Sequence, residues 1–569
     1  MKRLITAFLL LLALFAGSLY AQNKASASPG GNFEISGTLV DAITGQPISK
    51  ARVAVSPVSE RDNFTTIVTG EDGHFSFPGL VAGKYTLTAQ ARGYLLQSFN
   101  QHDQYSSSIV VGAGLVSTDL LFRIPPESSI SGVVMDEAGE PVREAQVMLY
   151  LTGLARGSEG TRLMSTAMTS DEGSYHFGHL RPGHYLIAVS AKPWYAQHAW
   201  SNAGQSTSNG FQGGIIGSIA TTRTSVMGVV SGGGGPVTES NPQLDVAYPV
   251  TFYPGVTEAS AATPLKLERG EKANADLTLQ PVPAIRIRII QEKSESGANS
   301  YLSLQRRVLD GPPMPVQAET RQVSPGVVEA VGIPAGHYTV RNYAVGQGQS
   351  EWTGSREIDV NATGEIDPSE GTQYVPVSAK LQMVSGSLPT EAFLQFSSKN
   401  TREGFGERVP ASGEVTFRQG VRPGQYEVSL GRANGVYLAG IAAQGAKVTG
   451  RTIDIRAGSP AKLTLTLARG EADLTGTALR DDKPFAGAMI VLVPDDPAHN
   501  LILFRRDQSD SDGTFTLSNV VPGNYKLLAI ENGWDLEWTN PEVLEKFMAA
   551  AVPVQAQPRG KYSLKINVQ

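Results

Sequence analysis

Asp72-Gly73-His74-Phe75-Ser76-Phe77-Pro78-Gly79-Leu80-Val81-Ala82-Gly83-Lys84-Tyr85 is the first of five copies of one pattern in this chain. Each copy has a turn glycine, a strand of alternating character and a second turn that ends in Gly-x-Tyr. The upstream glycine lies twelve residues before the tyrosine in four copies and thirteen in the other. This spacing predicts one supersecondary unit repeated along the chain. The five tyrosines are Tyr85, Tyr185, Tyr338, Tyr426 and Tyr525.

The pattern has the chemistry of a β-hairpin. Asp-Gly supplies the positive φ of a tight turn, and Phe75 and Phe77 then alternate with polar neighbours, which places both rings on one face of a strand. A Pro-Gly or Pro-Ala-Gly sequence makes the second turn. Tyr85 opens the next strand, where it can bury its ring while its hydroxyl finds a partner at the sheet edge.

Further strands precede the pattern in three of the five units. Ile35-Ser36-Gly37-Thr38-Leu39 leads into a proline turn and a second strand, and the stretches at 130–134 and 474–478 do the same. With a closing strand, each unit has about seven strands, the number of an immunoglobulin-like sandwich. The predicted fold class is therefore all-β, with tandem seven-stranded sandwiches.

These residues resemble the carboxypeptidase regulatory-like domain, whose pattern runs I-S-G-x-V, G-x-P, A-x-V, D-G-x-F-x-F, P-G-x-Y and G-Y. Gly37–Tyr94, Gly132–Trp194 and Gly476–Trp534 match it along their length, whereas Gly326–Tyr338 and Gly413–Tyr426 match only its second half. The resemblance implies a non-catalytic transthyretin-like (prealbumin-like) β-sandwich. Such domains are common in exported bacterial proteins and are grouped by fold with carbohydrate-binding modules.

The predicted boundaries follow these units. They are a signal peptide at 1–21, a flexible leader at 22–32, and sandwiches at 33–124, 127–281, 282–374, 375–469 and 470–569. The second sandwich carries an insertion at 194–248, rich in Gly, Ser and Thr, which indicates either a disordered surface loop or a functional segment. The connections between units are short, so we expect a tightly coupled rod of domains.

The N-terminus predicts export. Lys2-Arg3 precedes an apolar run from Leu4 to Leu19 and small residues near Ala21, the order of a secretory signal peptide. No later segment is apolar for long enough to cross a membrane. We therefore expect a periplasmic, outer-surface or secreted protein without a membrane span after cleavage.

Composition excludes several classes of partner and chemistry. The 569 residues include no cysteine, which rules out disulfides and thiol catalysis, and the net charge of -6 argues against nucleic acid as a partner. One short helix is expected near the C-terminus. Asn540 can cap it, Pro541 suits its first position, and Leu544 and Phe547 share one face.

Catalytic motifs are missing from the sequence. It has no zinc-peptidase pair, Gly-x-Ser-x-Gly elbow, Walker loop or Rossmann fingerprint, and Ser459-Pro460-Ala461-Lys462 fits Ser-x-x-Lys only at the start of a strand. We predict no catalytic residue and no cofactor.

Two clusters have metal-ligating side chains but favour other interpretations. His176, His179 and His184 occupy positions that other units fill with varied polar residues, which indicates solvent-facing sites. The Asp507–Asp512 stretch partly resembles a calcium loop, but its acid-Gly pair is a turn in the other units. We predict no metal site.

Aromatic residues recur shortly after the tyrosines, at a loop end of the sandwiches. Large rings in such places plug the end of a core, and exposed ones can stack on sugar faces or anchor a partner. The sequence leaves both interpretations open. The candidate ligand-stacking residues are Tyr94, Trp194, Trp200, Trp352, Trp534 and Trp538.

The functional prediction is a non-catalytic exported protein for binding, adhesion or spacing, with carbohydrate or a cell-envelope protein as partner. One alternative is a structural accessory to an outer-membrane transport or peptidase system, without a small ligand. A second is an enzyme with its site at 194–258. That segment offers Trp194, Trp200 and Tyr253, and its acids and histidines are His198, Glu239, Asp245 and Glu258.

Overall fold

The structure is a computed structural model. It describes residues 31–155, 158–198, 241–290, 299–316, 318–324, 327–346, 349–366, 372–398, 404–433 and 435–569. The predicted signal peptide, most of the leader and the greater part of the insertion lie outside the described residues. Within the described ranges, no helix is both long and apolar enough to span a membrane.

The fold is all-β, as predicted, and consists of tandem β-sandwiches. The strands form pairs of facing sheets that we call modules 1 to 5 in chain order. Module 1 contains β1 (Phe33–Asp41), β2 (Arg52–Pro57), β3 (Thr65–Val68), β4 (His74–Leu80), β5 (Gly83–Gln90), β6 (Gln97–Ser98), β7 (Ile109–Val111) and β8 (Leu120–Ile124). Module 2 contains β9 (Ser128–Met135), β10 (Gln146–Ala155), β11 (Ser158–Met168), β12 (Ser174–Leu180), β13 (Gly183–Ser190), β14 (Val246–Ala247), β15 (Thr251–Phe252), a 3₁₀ helix (Ala259–Ala261), β16 (Leu265–Leu267), β17 (Lys272–Asn274), β18 (Leu277–Thr278) and β19 (Val282–Pro283).

Modules 3 and 4 repeat the arrangement. Module 3 contains β20 (Ile285–Ile290), β21 (Asn299–Arg306), β22 (Met314–Pro315), β23 (Glu319–Ser324), β24 (Val327–Ile333), β25 (Gly336–Gly346), β26 (Gln349–Val360), β27 (Gly364–Ile366) and β28 (Thr372–Gln373). Module 4 contains β29 (Val375–Met383), β30 (Phe393–Ser398), β31 (Gly404–Arg408), β32 (Glu414–Val421), β33 (Gly424–Gly431), β34 (Val436–Gln444), β35 (Ala446–Thr449), β36 (Thr452–Ile455) and β37 (Ala461–Arg469).

Module 5 carries most of the helical residues. It contains β38 (Ala472–Arg480), β39 (Lys483–Pro484), β40 (Met489–Pro494), β41 (Arg505–Gln508), β42 (Thr514–Val520), β43 (Gly523–Ile530), β44 (Val552–Ala556) and β45 (Lys561–Asn567). Its helices are an α-helix (Pro541–Glu545) and 3₁₀ helices at Pro497–His499, Leu501–Leu503, Gly533–Asp535 and Met548–Ala550.

The first strand of each module lies inside one sheet. In module 1, β1 pairs antiparallel with β4 and parallel with β8, while β5 pairs with β2 in the facing sheet. The Gly-x-Tyr turn between β4 and β5 therefore crosses from one sheet to the other. The hairpin interpretation of the repeated pattern was wrong. The strands on either side of this turn do not pair with each other. Their aromatic side chains face a common core.

A buried tyrosine hydroxyl holds this crossing in every module. Each of the five tyrosines donates to the backbone carbonyl four residues earlier, at 2.5 to 2.9 Å. This is the geometry of a tyrosine corner. The acceptor carbonyls belong to Val81, Arg181, Pro334, Arg422 and Val521.

The upstream turn glycine is required by the backbone. Gly73 has a φ of +68°, and a Cβ added there would lie 2.5 Å from the carbonyl oxygen of Leu39. The N–H of Leu39 also donates to the Gly73 carbonyl oxygen at 2.9 Å. Any larger residue would have to push β1 away from the turn.

In each module, a β-bulge lies four residues before the glycine of the Gly-x-Tyr turn. The residue there has a positive φ of 54° to 76°, which favours glycine, asparagine and a few polar residues. This explains why His179 stands where module 1 has a glycine. The five bulge residues are Gly79, His179, Gly332, Gly420 and Asn519.

Two sheets are buried on both faces. In β10, Val147 and Leu149 face the core of module 2, while Met148 and Tyr150 pack against Val308 of module 3. In module 5, the second face of β40 is covered by the C-terminal helical segment.

The predicted helix is present but shorter than its apolar pattern. The α-helix ends at Glu545, its Leu544 is buried, and the Asn540 side chain caps it by accepting from the N–H of Glu542 at 3.1 Å.

The modules close into a ring in which each contacts the next and the fifth contacts the first. The expectation of a rod was therefore wrong. Short linkers couple neighbours, as predicted, but closure depends on complementary surfaces about 400 residues apart that no single repeat contains. One contact from each junction, in chain order, is Glu127 N–H to Gly93 O (3.0 Å), Thr161 N–H to Asp310 Oδ2 (2.9 Å), Arg422 to Glu357 (2.9 Å), Ile502 N–H to Glu427 Oε1 (2.7 Å) and Lys84 Nζ to Asp510 Oδ2 (2.6 Å).

At the closing junction, a turn of module 5 covers the edge strand β7 of module 1. The N–H groups of Ser108 and Val110 donate to Asp510 Oδ1 and Ser511 Oγ, both at 2.8 Å, and the Ser511 N–H donates to the Ser108 carbonyl at 3.0 Å. Uncovered strand edges are sites of unwanted pairing. Ring closure protects this one.

We expect Tyr525→Phe to destabilise the protein by about 1–2 kcal/mol, because it leaves the buried carbonyl of Val521 without its hydroxyl donor. Chemical denaturation of the full chain measures this. Tyr437→Phe is the control, since Tyr437 is half-buried and its hydroxyl has no hydrogen bond within the described residues. Equal effects of the two changes would contradict the importance of the corner.

Lys84→Met should open the ring. Asp510 is 12% exposed and loses its counter-charge, a loss of about 1–2 kcal/mol at the closing junction. Small-angle X-ray scattering should then show a larger radius of gyration. Lys380→Met removes an ion pair to Glu414 that is exposed on both sides, and should leave the radius unchanged.

Candidate ligand-binding site

The predicted aromatic residues lie in different surroundings, and one of them faces inward. Tyr94 packs against the core of module 1, and its hydroxyl donates to Asp41 Oδ2 at 2.9 Å. Burial, followed by this hydrogen bond, raises the pKa of Tyr94 above its ordinary value. Tyr94 therefore acts as a plug at one end of its module.

Trp534 and Trp538 are occupied by contacts within the chain. Trp534 stacks on His102 of module 1, with ring centroids 4.8 Å apart and planes 6° from parallel. Trp538 packs edge-on against Phe504, and the Arg506 guanidinium lies 4.2 Å from the Trp538 ring centroid. Both tryptophans are half-buried beneath the closing junction of the ring. Trp534 joins modules 1 and 5, whereas Trp538 packs against residues of its own module.

Two candidates cannot be placed in full. Trp352 lies on β26, where its backbone pairs with Tyr343 of β25, but its side chain lies outside what the structure describes. Trp200 lies wholly outside the described residues.

Trp194 is the candidate that faces solvent. It follows the end of β13 in module 2 and is 81% exposed. The ring of Tyr195 meets it edge-on at 5.9 Å and 87°. Among the described residues, no large apolar side chain is more exposed than Trp194.

A carboxylate and two tyrosines fix the loop that carries Trp194. Tyr195 donates to Glu137 Oε1, and Tyr248 donates to Glu137 Oε2 at 2.8 Å. Burial would raise the pKa of Glu137, but the hydrogen bonds outweigh it and hold that pKa below its ordinary value. Burial and the Glu137 carboxylate raise the pKa of Tyr195 to about 12. Glu137 thus stays ionised and anchors both ends of the insertion.

A small cleft, partly open to solvent, lies beside this loop at the junction of modules 2 and 3. Pro193, the residue before Trp194, contributes to its wall. Other lining side chains come from both modules, including Ser190, Lys192, His198, Arg306 and Val316.

The ionisable groups considered for an enzyme do not converge on a reactive centre. His198 Nδ1 lies 2.8 Å from Asp245 Oδ1, but the Nε2 edge of the same ring lies against the backbone of Gly332 in module 3. A Cβ at Gly332 would be only 2.5 Å from that nitrogen. Glu258 precedes a 3₁₀ helix, and Glu239 lies outside the described residues. The His198–Asp245 pair therefore joins two modules.

The histidines of module 2 contact separate partners. His176 Nδ1 lies 2.9 Å from Ser131 Oγ, and His179 pairs with Glu127. No group of three metal-ligating residues occurs in the part of the chain that the structure describes.

The aspartates of module 5 act in the turn and in ring closure. Asp512 accepts from the Thr514 N–H at 3.0 Å, Asp507 accepts from the Thr516 N–H at 2.7 Å, and Asp510 binds Lys84. Burial, followed by the nearby Asp510 charge, raises the pKa of Asp507 to about 6.

Residues 34–118 and 129–209 match the carboxypeptidase regulatory-like domain. Modules 1 and 2 are carboxypeptidase regulatory-like domains. The tyrosine corner is the same in these two domains and in the three modules outside the match. No curated protein matches the chain in sequence.

Several solved structures show distant similarity. The Bacillus anthracis TIE protein is 11% identical over 96% of this chain and 76% of its own length, with a TM-score of 0.17. A streptococcal ancillary pilin is 12% identical over 50% of this chain and 99% of its own, also at 0.17. The minor pilin of Streptococcus agalactiae is 14% identical over 34% and 94%, again at 0.17. Such scores carry no functional inference beyond that from the two carboxypeptidase regulatory-like domains.

Asp507→Asn should change the pH dependence of stability. The folded protein keeps the Asp507 proton up to about pH 6, whereas an ordinary aspartate releases it near 3.8, so the wild type loses stability as pH rises through this window. Asparagine cannot ionise, so the variant should gain on the wild type from pH 3.8 to about 6 and keep that advantage above it.

Urea denaturation at several pH values across the window measures this difference. Asp62→Asn, at an exposed carboxylate, is the control and should run parallel to the wild type. A constant offset between Asp507→Asn and the wild type would contradict the expectation.

Proposed function

We propose that this protein is an exported, non-catalytic, multi-module binding protein of the cell envelope or surface, and that module 2 presents a carbohydrate-binding site at Trp194. The observation that carries the proposal is the 81% exposure of this ring on a fixed loop. Tyr94 and Trp534 have the same place in the repeated pattern but are engaged within the chain.

The chemistry of the loop suits a saccharide. The apolar faces of sugar rings pack on flat aromatic rings, and a rigid platform costs little ordering entropy on binding. Tyr195, whose ring meets Trp194 edge-on, is held by Glu137, so the platform is fixed before any ligand binds. A few polar groups beside an apolar surface are typical of small-molecule sites.

The ring of modules supports a role in adhesion or spacing. Its closed contacts fix the position of the Trp194 loop relative to every other module. The N-terminal sequence supports export to the periplasm, the outer surface or the medium. The alternative of a structural accessory to a transport or peptidase system needs no ligand at Trp194. The enzyme alternative receives no support from the His198–Asp245 geometry.

We expect Trp194→Ala to abolish binding on a glycan array, or to weaken it at least tenfold, roughly the loss from removing an anchor residue at a binding site. Thermal stability should not change, because the ring is exposed. Phe64→Ala is a matched control, since Phe64 is 62% exposed in module 1. It should bind as the wild type does.

Two results would contradict the proposal. One is a wild-type protein that binds no glycan on an array covering neutral and acidic saccharides. The other is glycan binding that Trp194→Ala leaves intact. If the first result is accompanied by specific capture of a transport or peptidase component from envelope extract, the structural accessory becomes the better description.

A further inference from the structure

Strand β3 of module 1 is an uncovered sheet edge. It ends the sheet ordered β3, β2, β5, β6, and among the described residues β2 is its only strand partner. The Thr69 N–H donates to the Ala51 carbonyl at 2.9 Å, so Thr69 faces β2. Because this direction alternates along a strand, the N–H and C=O groups of Thr66 and Val68 point away from the sheet. They form a row of donors and acceptors to which another strand can add.

The solvent face of this edge is apolar. Ile67 packs on the core of module 1, so its neighbours Thr66 and Val68 lie on the opposite face. Val68 is 66% exposed, and Phe64, which precedes the strand on the same face, is 62% exposed. A backbone edge with apolar side chains beside it is suited to pairing with a second strand.

Strand β3 lacks the features that keep the equivalent edges from pairing. Charged side chains and prolines at a sheet edge prevent a second strand from adding to it. The edge strands in the same position of modules 2, 4 and 5 carry charges, and that of module 3 has two residues and ends in proline. They are β11 with Glu159 and Arg162, β22 with Pro315, β31 with Glu407 and Arg408, and β41 with Arg505, Arg506 and Asp507. Residues 64–68 contain neither a charge nor a proline.

The nearest charged side chain on the neighbouring strand is also directed elsewhere. Arg52 of β2 lies beside Val68, but its Nη2 donates to Gln90 Oε1 of β5 at 2.7 Å. The guanidinium is therefore held on the side of β2 that is away from the edge.

The edge is complementary to itself. In an antiparallel pair of two copies with the two-fold axis at Thr66, this residue faces Thr66 of the second copy, and Phe64 faces Val68. The backbone groups of these residues all point outward, so this register lets both strands exchange N–H to C=O hydrogen bonds. The side chains that meet are apolar or threonine, and no like charges are opposed.

We propose that β3 is a self-association site, through which two copies of this chain form an antiparallel, two-fold dimer with one sheet continuous across the axis. The inference goes beyond glycan binding and uses no residue of the Trp194 loop. Pairing of two such short strands buries less than the roughly 1,600 Å² of a standard interface, so we expect a weak, reversible dimer with a Kd of about 10–100 µM. Glycan arrays run well below this concentration measure the monomer.

Sedimentation equilibrium of the full chain, from about tenfold below to about tenfold above this Kd, measures the association. We expect the mean mass to rise from that of a monomer to that of a dimer. Thr66→Lys places two ammonium groups opposite each other and should abolish the rise, and Thr66→Glu should do the same with two carboxylates. Thr118→Lys makes the same charge change at an exposed position before β8 and should associate as the wild type does.

An equimolar mixture of the two Thr66 variants tests the register. Lysine and glutamate then face each other across the axis, so the mixture should form a heterodimer although neither variant forms a homodimer. Hydrogen exchange of the wild type should show protection of residues 64–68 that increases with protein concentration. Thr66 is exposed, so both variants should have the melting temperature of the wild type, which separates a loss of association from a loss of fold.

Three results would overturn the inference. One is a wild-type chain that stays monomeric over the whole concentration range. Another is a dimer that Thr66→Lys leaves intact, which would place the contact elsewhere. The third is a dimer that both variants break but their mixture does not restore, which would contradict pairing about Thr66.

Discussion

One hydrogen bond, repeated in every module, sets the architecture. The corner tyrosine hydroxyl donates to the carbonyl four residues earlier and fixes the crossing from β4 to β5 and its equivalents. The ring of the same tyrosine fills the core between the two sheets. A preceding bulge with positive φ turns the strand toward this crossing, which is why glycine, asparagine or histidine recurs there.

The aromatic side chains after the corner tyrosines differ in whether they are buried, stacked or exposed. The sequence allowed each of them to be a core plug or a stacking platform, and the chain uses them in different ways. Tyr94 bonds to Asp41 inside its own module, and Trp534 lies beneath His102 from a module about 400 residues away. Trp194 occupies the same place in the pattern but is 81% exposed. For Trp534 the difference arises from assembly, because His102 belongs to module 1. For Tyr94 it arises from the local sequence, because tryptophan has no hydroxyl to donate to a carboxylate.

The second faces of the sheets show where a sequence signal was available and missed. In β2, apolar residues alternate with polar ones, and the strand is buried on one side. In β40, Met489, Ile490, Val491, Leu492 and Val493 are continuous and all buried. Such a run is typical of a strand covered on both faces. It could have predicted that the C-terminal helix packs on β40 and that module 3 covers β10.

The sequence by itself determined the all-β class, the repeated unit and the residues at each turn, because these follow from local periodicity and from backbone conformations that only a few residues adopt. It also determined the short helix that Asn540 caps. Only the tertiary structure decided that the repeated turn joins two sheets, that five modules form a ring, and that Trp534 stacks on His102 of module 1. Those features depend on contacts between residues far apart in the chain, and the physical reason is that complementarity between two surfaces belongs to neither sequence alone.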